Sequence, residues 1–228
     1  MRVLERYSGP IGFANGGWFA GMAAEASGFD PAEITLRRPI PLEVDLSVDH
    51  DAVRLGEELI AEMRPGHFTR DAPAFVDRDA ALDAETRTLV RSSPEYGHCL
   101  VCGVDREDGY RLRPGAVAGV EDTVACLWRP GHLTPLLDPA DVIPAIWAAL
   151  DCPGVWTTDA PRDPMLLGRM TASVVLQPDL DEEFIAVGRW HSREGRKMLT
   201  STALYSTDGQ LIGHAEQVWI AITGHPVR

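Results

Sequence analysis

A glycine-rich segment near the N-terminus, NGGWFAGMAAEASG at 15–28, carries residue types suited to backbone chemistry. Gly16 and Gly17 come just before a run of small residues that favours a helix. The first N–H groups of a helix lack intrahelical partners and carry partial positive charge. Glycines at that point let a ligand or a neighbouring element approach the backbone closely. The segment therefore predicts a helix that either contacts a ligand at its start or packs tightly against a broad surface.

Four cysteines, Cys99, Cys102, Cys126 and Cys152, are the next candidates for chemistry. Cys99 and Cys102 form a single C-x-x-C pair, whereas a structural zinc site needs four ligands. The sequence holds no second pair at zinc-finger spacing, and its histidines are scattered singly. A thioredoxin-like redox pair is disfavoured because the pair runs into a turn and not into a helix. We therefore expect reduced, half-buried thiols, with no metal and no cofactor.

The length and net charge of the chain limit the classes of protein to which it can belong. The 228 residues allow one large domain or two repeats of about 100 residues each. A net charge of −13 opposes binding to a phosphate backbone, so we expect no nucleic-acid partner. No apolar run approaches the roughly 18 residues of a membrane span, and segment 1–10 lacks the apolar stretch of a secretory signal. These features predict a cytoplasmic protein without a membrane partner.

The elements that must position these residues follow the order helix, then strands, twice. In the first half, the helix at the glycine pair is followed by strands predicted over 33–40, 42–49 and 58–65. Residues 66–94 are charged, contain proline and show poor periodicity, so they predict a long connection with one short helix.

The second half begins with a turn-rich segment at 99–115. A helix is predicted over 138–154, with Asp138 or Asp141 as its cap and Pro144 near its start or at a kink. Strands are predicted over 123–130, 165–178, 183–192, 196–207 and 210–222. Long antiparallel strands beside one central helix in each half indicate an α+β protein.

Several segments, in this order, resemble those of hotdog-fold acyl-CoA thioesterases of the PaaI-like and 4-hydroxybenzoyl-CoA thioesterase-like kinds. FANGGWFAG at 13–21 resembles the family's glycine-pair helix start, and WAALDCPG at 147–154 resembles the helix segment that carries its catalytic acid. CLVCGVDREDGYRLRP at 99–114 resembles a segment that opens a hotdog unit, and 188–222 resembles the terminal hairpins. The resemblance implies a double hotdog, in which two antiparallel sheets each wrap a central helix as a fused pseudo-dimer.

The resemblance also implies the domain limits and the substrate class. The first repeat would be residues 1–85, including a linker from about 66, and the second repeat would be 86–228. The implied reaction is hydrolysis of an acyl thioester of coenzyme A or of an acyl-carrier protein, without a cofactor. Both a monomer and a homodimer of double hotdogs fit, because two fused units already bury the helix faces.

The first repeat matches only part of the family's site. Asn15 stands where the family often has histidine, and Gly16 and Gly17 match its glycine pair. The position of the family's catalytic acid is occupied by Ala24, and Glu25 comes one position late. The resemblance therefore implies a helix start that polarises a thioester carbonyl but brings no carboxylate of its own.

The second repeat matches the complementary part. Asp151 fits the acid position, whereas Ile143 and Pro144 stand in place of the glycine pair. In many such enzymes the amide and the acid come from opposite units. We therefore predict one composite catalytic site, in which Gly17 N–H and Asn15 stabilise the oxyanion while Asp151 activates water or attacks directly. The other site would be inactive.

Further residues are predicted to bind substrate. Gly16, Trp18 and Trp147 complete the site, and the two tryptophans would either line a pocket for short or aromatic acyl groups or pack in the core. Arg37 and Arg38 would either meet coenzyme A phosphates or lie at a solvated surface.

Each catalytic assignment has a structural alternative. Asn15 can serve only as an N-cap, Gly17 only in helix packing, and Asp151 only as a solvated turn residue. Two other functions stay open. A hotdog hydratase or dehydratase is disfavoured because Asn15 replaces the expected histidine, and a ligand-binding hotdog protein would have lost catalysis altogether. A hydrolysis assay and a crotonyl-CoA hydration assay separate the three.

Overall fold

The computed structural model describes residues 1–10, 12–90, 94–132, 141–158, 160 and 163–222. Its helices are α1 (Gly16–Ser27), α2 (Arg78–Glu85) and α3 (Val142–Val155). The strands are β1 (Ala32–Leu36), β2 (Ser47–Val48), β3 (Ala52–Leu55), β4 (Glu58–Pro65), β5 (Gly115–Ala116), β6 (Thr123–Trp128), β7 (Met165–Val174), β8 (Phe184–Glu194), β9 (Lys197–Ser206) and β10 (Leu211–Ala221). The α+β class expected from the sequence is confirmed.

All ten of these strands belong to one antiparallel sheet. Their order is β2-β3-β4-β1-β7-β10-β9-β8-β6-β5. The sequence analysis expects two sheets, but β1 pairs with β7 as well as with β4, so that Ala32 lies opposite both Ala172 and Pro65. This pairing joins the strands of the two halves edge to edge. The strands therefore form one continuous sheet and not the two sheets that were expected.

Strand predictions succeed where the pattern is regular and fail where the backbone turns. The strand predicted over 58–65 is confirmed as β4. The strand predicted over 42–49 is wrong, because only Ser47–Val48 is extended and paired. Glu43 has a φ of 59°, which a strand does not accommodate, although Leu46 further along is still buried in the core.

Helix α1 forms where the sequence predicts it. The Asn15 side chain caps its start by accepting a hydrogen bond from Trp18 N–H at 2.8 Å. Gly28 ends it in the left-handed conformation, with a φ of 70°, and its N–H donates to Ala24 O and Glu25 O. The helix is apolar over most of its surface and lies almost wholly in the core.

Helices α1 and α3 run antiparallel and touch at two glycines. A Cβ atom added to Gly17 would overlap Asp151 Cβ and would lie 2.7 Å from Trp147 O. Four residues later, a Cβ atom on Gly21 would lie 2.7 Å from Pro144 Cα. The absence of side chains at both positions therefore permits the close crossing, and it brings the start of α1 against Asp151.

Helix α3 begins at Val142, later than predicted. Asp141 occupies the cap position without a side-chain capping bond, and the predicted cap Asp138 lies outside the described residues. Pro144 falls in the first turn, where its missing N–H removes no helical hydrogen bond. Pro153 lies inside the helix near its end, a feature that the sequence analysis did not anticipate.

The opposite face of the sheet is covered by α2, the one short helix predicted within 66–94. Its buried residues Ala81 and Ala84 join a small apolar cluster with Leu127 and Val187 of the sheet. The sheet is thus covered on both faces around its second half. Within the described ranges, none of the helices has the combination of length and apolar character that crossing a bilayer requires.

Candidate active site

A cavity of about 280 Å³ lies beside the start of α1. Asn15, Gly16 and Asp151 contribute its polar part. Its apolar wall includes Phe13, Leu36, Ile40, Val155, Met165, Leu167, Trp219 and Ile220. An apolar cavity with a few convergent polar groups is typical of small-molecule sites.

The carboxyl group of Asp151 is the acidic group of this cavity. Gly17 N–H donates to its Oδ2 atom at 3.0 Å, and Asn15 Nδ2 donates to the same atom at 3.3 Å. The residue is only 2% exposed, and its Oδ1 atom has no hydrogen-bond partner among the described residues. One carboxyl oxygen is therefore held by the first half of the chain, while the other is left available.

Asn15 both caps α1 and orients Asp151. Its Oδ1 atom accepts from Trp18 N–H, so the amide nitrogen Nδ2 must point the other way, toward Asp151. Its backbone N–H donates to Tyr7 O at 2.9 Å, which fixes the residue on a second side. The capping alternative and the site assignment are thus compatible in one side chain.

Burial dominates the ionisation of Asp151. The pKa of this carboxyl is raised to about 8, chiefly because burial removes it from water; the hydrogen bonds from Gly17 and Asn15 oppose the increase, and the nearby Cys99 thiol adds to it. A buried carboxyl with a pKa shifted toward neutrality, placed in a cavity, is a common feature of acid–base sites.

A buried hydrogen-bond network holds the part of α3 that carries Asp151. The carbonyl oxygen of Leu150 accepts from Thr202 Oγ1 at 2.6 Å and from Gln217 Nε2 at 2.9 Å. Gln217 Oε1 in turn accepts from Thr200 Oγ1 at 2.9 Å. Three side chains of β9 and β10 therefore fix the backbone next to the carboxylate.

Two arginines also line the cavity. Arg37 pairs with Glu62, and Arg38 pairs with Glu58 at 2.8 Å. All four side chains are substantially exposed, so these ion pairs are weak and can exchange for other anions. Positive charge is therefore available where the cavity meets solvent.

Four of the six residues predicted for the site come together, namely Asn15, Gly16, Gly17 and Asp151. Gly17 N–H, expected to face a substrate oxygen, instead donates to Asp151. Gly16 N–H makes no hydrogen bond to any described residue, and Gly16 lines the cavity. The free amide at the cavity thus belongs to Gly16, one residue earlier than the predicted Gly17.

The two predicted substrate-binding tryptophans lie in the core and not on the cavity wall. Trp18 is fully buried and stacks on Tyr7, with ring centroids 3.6 Å apart and planes inclined by 15°. Trp147 packs against Gly21 where the two helices cross. The assignment of both as cavity residues is corrected, because Trp18 faces the N-terminal segment and Trp147 faces the crossing with α1.

Sequence reasoning missed the strand residues of the cavity. Leu36 of β1, Leu167 of β7 and Trp219 of β10 meet there through strand pairing between distant segments. Tyr96 is tied to Met165, because its hydroxyl donates to Met165 O at 2.9 Å and accepts from Met165 N–H at 2.7 Å. Such apolar strand positions carry no local motif, so only the sheet register could have identified them.

Comparison with solved structures identifies the fold of this chain. No family model and no curated protein matches the chain. A tesB protein of Mycobacterium avium subsp. paratuberculosis has a similar structure at 14% identity and a TM-score of 0.62, covering 96% of this chain and 91% of that one. The acyl-CoA thioesterase II TesB2 of Mycobacterium marinum matches at 14% identity and a TM-score of 0.53, covering 90% and 89%.

The description of a third similar structure gives the name of the fold. A conserved protein with a hot dog fold from Alicyclobacillus acidocaldarius matches at 13% identity and a TM-score of 0.57, with 95% of this chain and 89% of that chain covered. The chain therefore has the hotdog fold, and the resemblance seen in the sequence is confirmed at that level.

Proposed function

We propose that this protein hydrolyses acyl thioesters at one composite site between two hotdog units, residues 1–85 and 86–228. The observation that carries the proposal is the contact of Asp151 with Asn15 and Gly17 at the polar part of an apolar cavity. That arrangement places a carboxylate beside the amides of a helix start, which is what acyl transfer requires. The Mycobacterium marinum structure, which is named as an acyl-CoA thioesterase, shares the fold and agrees with this reaction class.

The amides at the start of α1 would polarise the thioester carbonyl. Because Gly17 N–H and Asn15 Nδ2 already hold Asp151, their role in this proposal is to position the carboxylate. Gly16 N–H then receives the negative charge that develops on the carbonyl oxygen, and the partial positive charge of the helix start adds to it.

Asp151 would deliver the attack. In its ionised form, which a pKa of about 8 makes predominant only above that pH, its Oδ1 atom, which has no partner among the described residues, either removes a proton from a water molecule or bonds directly to the acyl carbon. In the first route water adds to the acyl carbon and the thiolate of the carrier leaves, giving the carboxylic acid. In the second route the thiolate leaves a mixed anhydride of the acyl group and Asp151, which water then hydrolyses. A single turnover in heavy-oxygen water that labels Asp151 shows the second route, with water opening the anhydride at the Asp151 carboxyl carbon.

A second site is not expected in this chain. In the antiparallel crossing, Pro144 on α3 is the counterpart of Gly17 on α1, and Ala24 on α1 is the counterpart of Asp151 on α3. The two positions on each helix are seven residues apart. Proline has no N–H to donate, and alanine has no carboxylate. Active-site titration should therefore count one site per chain.

The cavity favours a compact acyl group on a phosphorylated carrier. Its volume of about 280 Å³ is at the lower limit of the roughly 300–1,000 Å³ common for small-molecule sites. Arg37 and Arg38 lie where a pantetheine arm would leave the cavity, and both can pair with phosphate. We therefore propose short-chain or aromatic acyl-coenzyme A as the preferred class over long-chain thioesters and acyl-carrier proteins.

The proposal is tested by measuring thiol release from short, aromatic and long acyl-CoAs with the purified chain. Turnover that is fastest on the compact acyl groups is the expected result. If crotonyl-CoA is hydrated and no thiol is released, the protein is a hydratase. If neither reaction occurs while acyl-CoA binds, it is a ligand-binding protein, and the hydrolase proposal is wrong.

A further inference from the structure

Three thiols meet beside the proposed catalytic carboxyl. The Sγ atoms of Cys99, Cys102 and Cys152 all lie within 4.8 Å of one another, and those of Cys99 and Cys152 are 3.7 Å apart. All three residues are buried, not half-buried as expected, and none is in a disulfide. The third thiol comes from α3, immediately after Asp151, which is why the C-x-x-C pair alone gave no reason to expect a cluster.

The loop that carries the first two cysteines is a tight turn. Gly103 N–H donates to Cys99 O at 2.8 Å and closes it. A Cβ atom on Gly103 would overlap Cys99 O, so the turn requires glycine there. The turn holds the Sγ atoms of Cys99 and Cys102 within 4.8 Å of each other.

Two N–H groups face the cluster. Asn15 Nδ2 lies 3.7 Å from Cys99 Sγ, and the buried indole N–H of Trp156, which has no hydrogen-bond partner among the described residues, lies beside Cys102. N–H donors beside a metal-bound thiolate stabilise it, because hydrogen bonds to a charged acceptor are stronger than those to a neutral one.

The spacing also fits a shared cation. Two sulfurs bound at about 2.3 Å to one tetrahedral zinc ion are about 3.8 Å apart, close to the observed separation of Cys99 and Cys152. Three thiolates this close repel one another in a buried setting unless a cation lies between them. Thiolate sulfur selects soft or borderline ions such as Zn²⁺.

We propose that Cys99, Cys102 and Cys152 bind one Zn²⁺ ion, or another thiophilic metal ion, as three thiolates, with a water molecule or small ligand at the fourth tetrahedral position. Each thiol releases its proton to solvent as the ion binds. The ion would tie the 99–103 turn to α3. Since Cys99 and Cys152 also line the cavity, the site would lie directly next to it. The proposal concerns metal binding alone and holds whether or not the chain hydrolyses thioesters.

The test is a titration of the full-length, metal-free, reduced chain with Co²⁺, followed by displacement with Zn²⁺. The expected result is a sulfur-to-cobalt charge-transfer band that saturates at one ion per chain and disappears when Zn²⁺ is added. Cys102→Ala should lose the band, whereas Cys126→Ala, which removes a buried thiol outside the cluster, should keep it.

Three results would overturn the proposal: a folded wild-type chain without the band, a band that survives in Cys102→Ala, or its loss in a folded Cys126→Ala chain. If the Cys102→Ala chain does not fold, cadmium NMR of the wild type replaces it, because the shift reports how many sulfurs bind the ion. A shift for three sulfurs supports the site, and a shift for fewer contradicts it.

Discussion

The backbone N–H of Gly17 donates a 3.0 Å hydrogen bond to the carboxyl group of Asp151, across the crossing of α1 and α3. The two residues are far apart in the chain and lie on different helices, Gly17 on α1 and Asp151 on α3. Gly17 has no side chain to keep α3 away, and Asp151 presents its carboxyl to unpaired amides. The same geometry therefore accounts for the tight packing of the two helices and for the position of the Asp151 carboxyl beside the start of α1.

Replacing Gly17 with alanine should destabilise the protein. The added Cβ would overlap Asp151 and come within 2.7 Å of the Trp147 carbonyl oxygen, so the two helices must separate. Such overpacking costs about 1–3 kcal/mol, which denaturant unfolding measures. Gly16→Ala is the matched control, because its Cβ would lie no closer than 3.0 Å to any atom of Leu167 and none of its nearest neighbours belongs to α3. Equal losses in the two variants would contradict the account of the helix crossing.

Gln217 is predicted to support Asp151 indirectly. In Gln217→Leu, the Leu150 carbonyl oxygen loses one donor and Thr200 loses its acceptor, so the free energy of unfolding should fall by about 1–3 kcal/mol. Thiol release should also slow, because the backbone beside Asp151 is less firmly held. Gln210→Leu, at an exposed turn, should change neither quantity. A Gln217→Leu chain of unchanged stability would show that the network is dispensable.

Arg38 is predicted to act on the carrier and not on the acyl group. Arg38→Ala should raise KM for an acyl-coenzyme A and leave kcat nearly unchanged, since a surface charge mainly assists binding of phosphates. The same acyl group on N-acetylcysteamine, which has no phosphate, should show no change in KM. Arg54→Ala removes an arginine away from the cavity and serves as the control. A KM increase on both thioesters would place Arg38 against the acyl group instead.

Local features were predictable from sequence, and features that depend on distant pairing were not. The cap at Asn15, the left-handed Gly28 and the bounds of β4 follow from neighbours in the chain. The strand predicted over 42–49 failed because one residue, Glu43, takes a positive φ that no periodicity reveals.

The candidate site shows the same division. Asp151 and the glycine pair were singled out because their segments resemble those of hotdog thioesterases, whereas the burial of Asp151 was not predictable from its neighbours in the chain. Trp18 and Trp147 were misplaced because the side of a buried helix that faces a cavity depends on how α1 and α3 cross. The apolar cavity wall depends on the pairing of β1 with β7, which the sequence pattern does not encode locally.

The most direct test of the account compares Asp151→Asn with Glu25→Gln in thiol release from the best acyl-CoA. Glu25 is an exposed acid at the far end of α1 and is the matched control. The account predicts that Asp151→Asn still folds and binds the thioester but loses about 10²–10⁴-fold in kcat, while Glu25→Gln keeps its turnover. Turnover by Asp151→Asn equal to that of the wild type would contradict the central claim that Asp151 performs the hydrolysis.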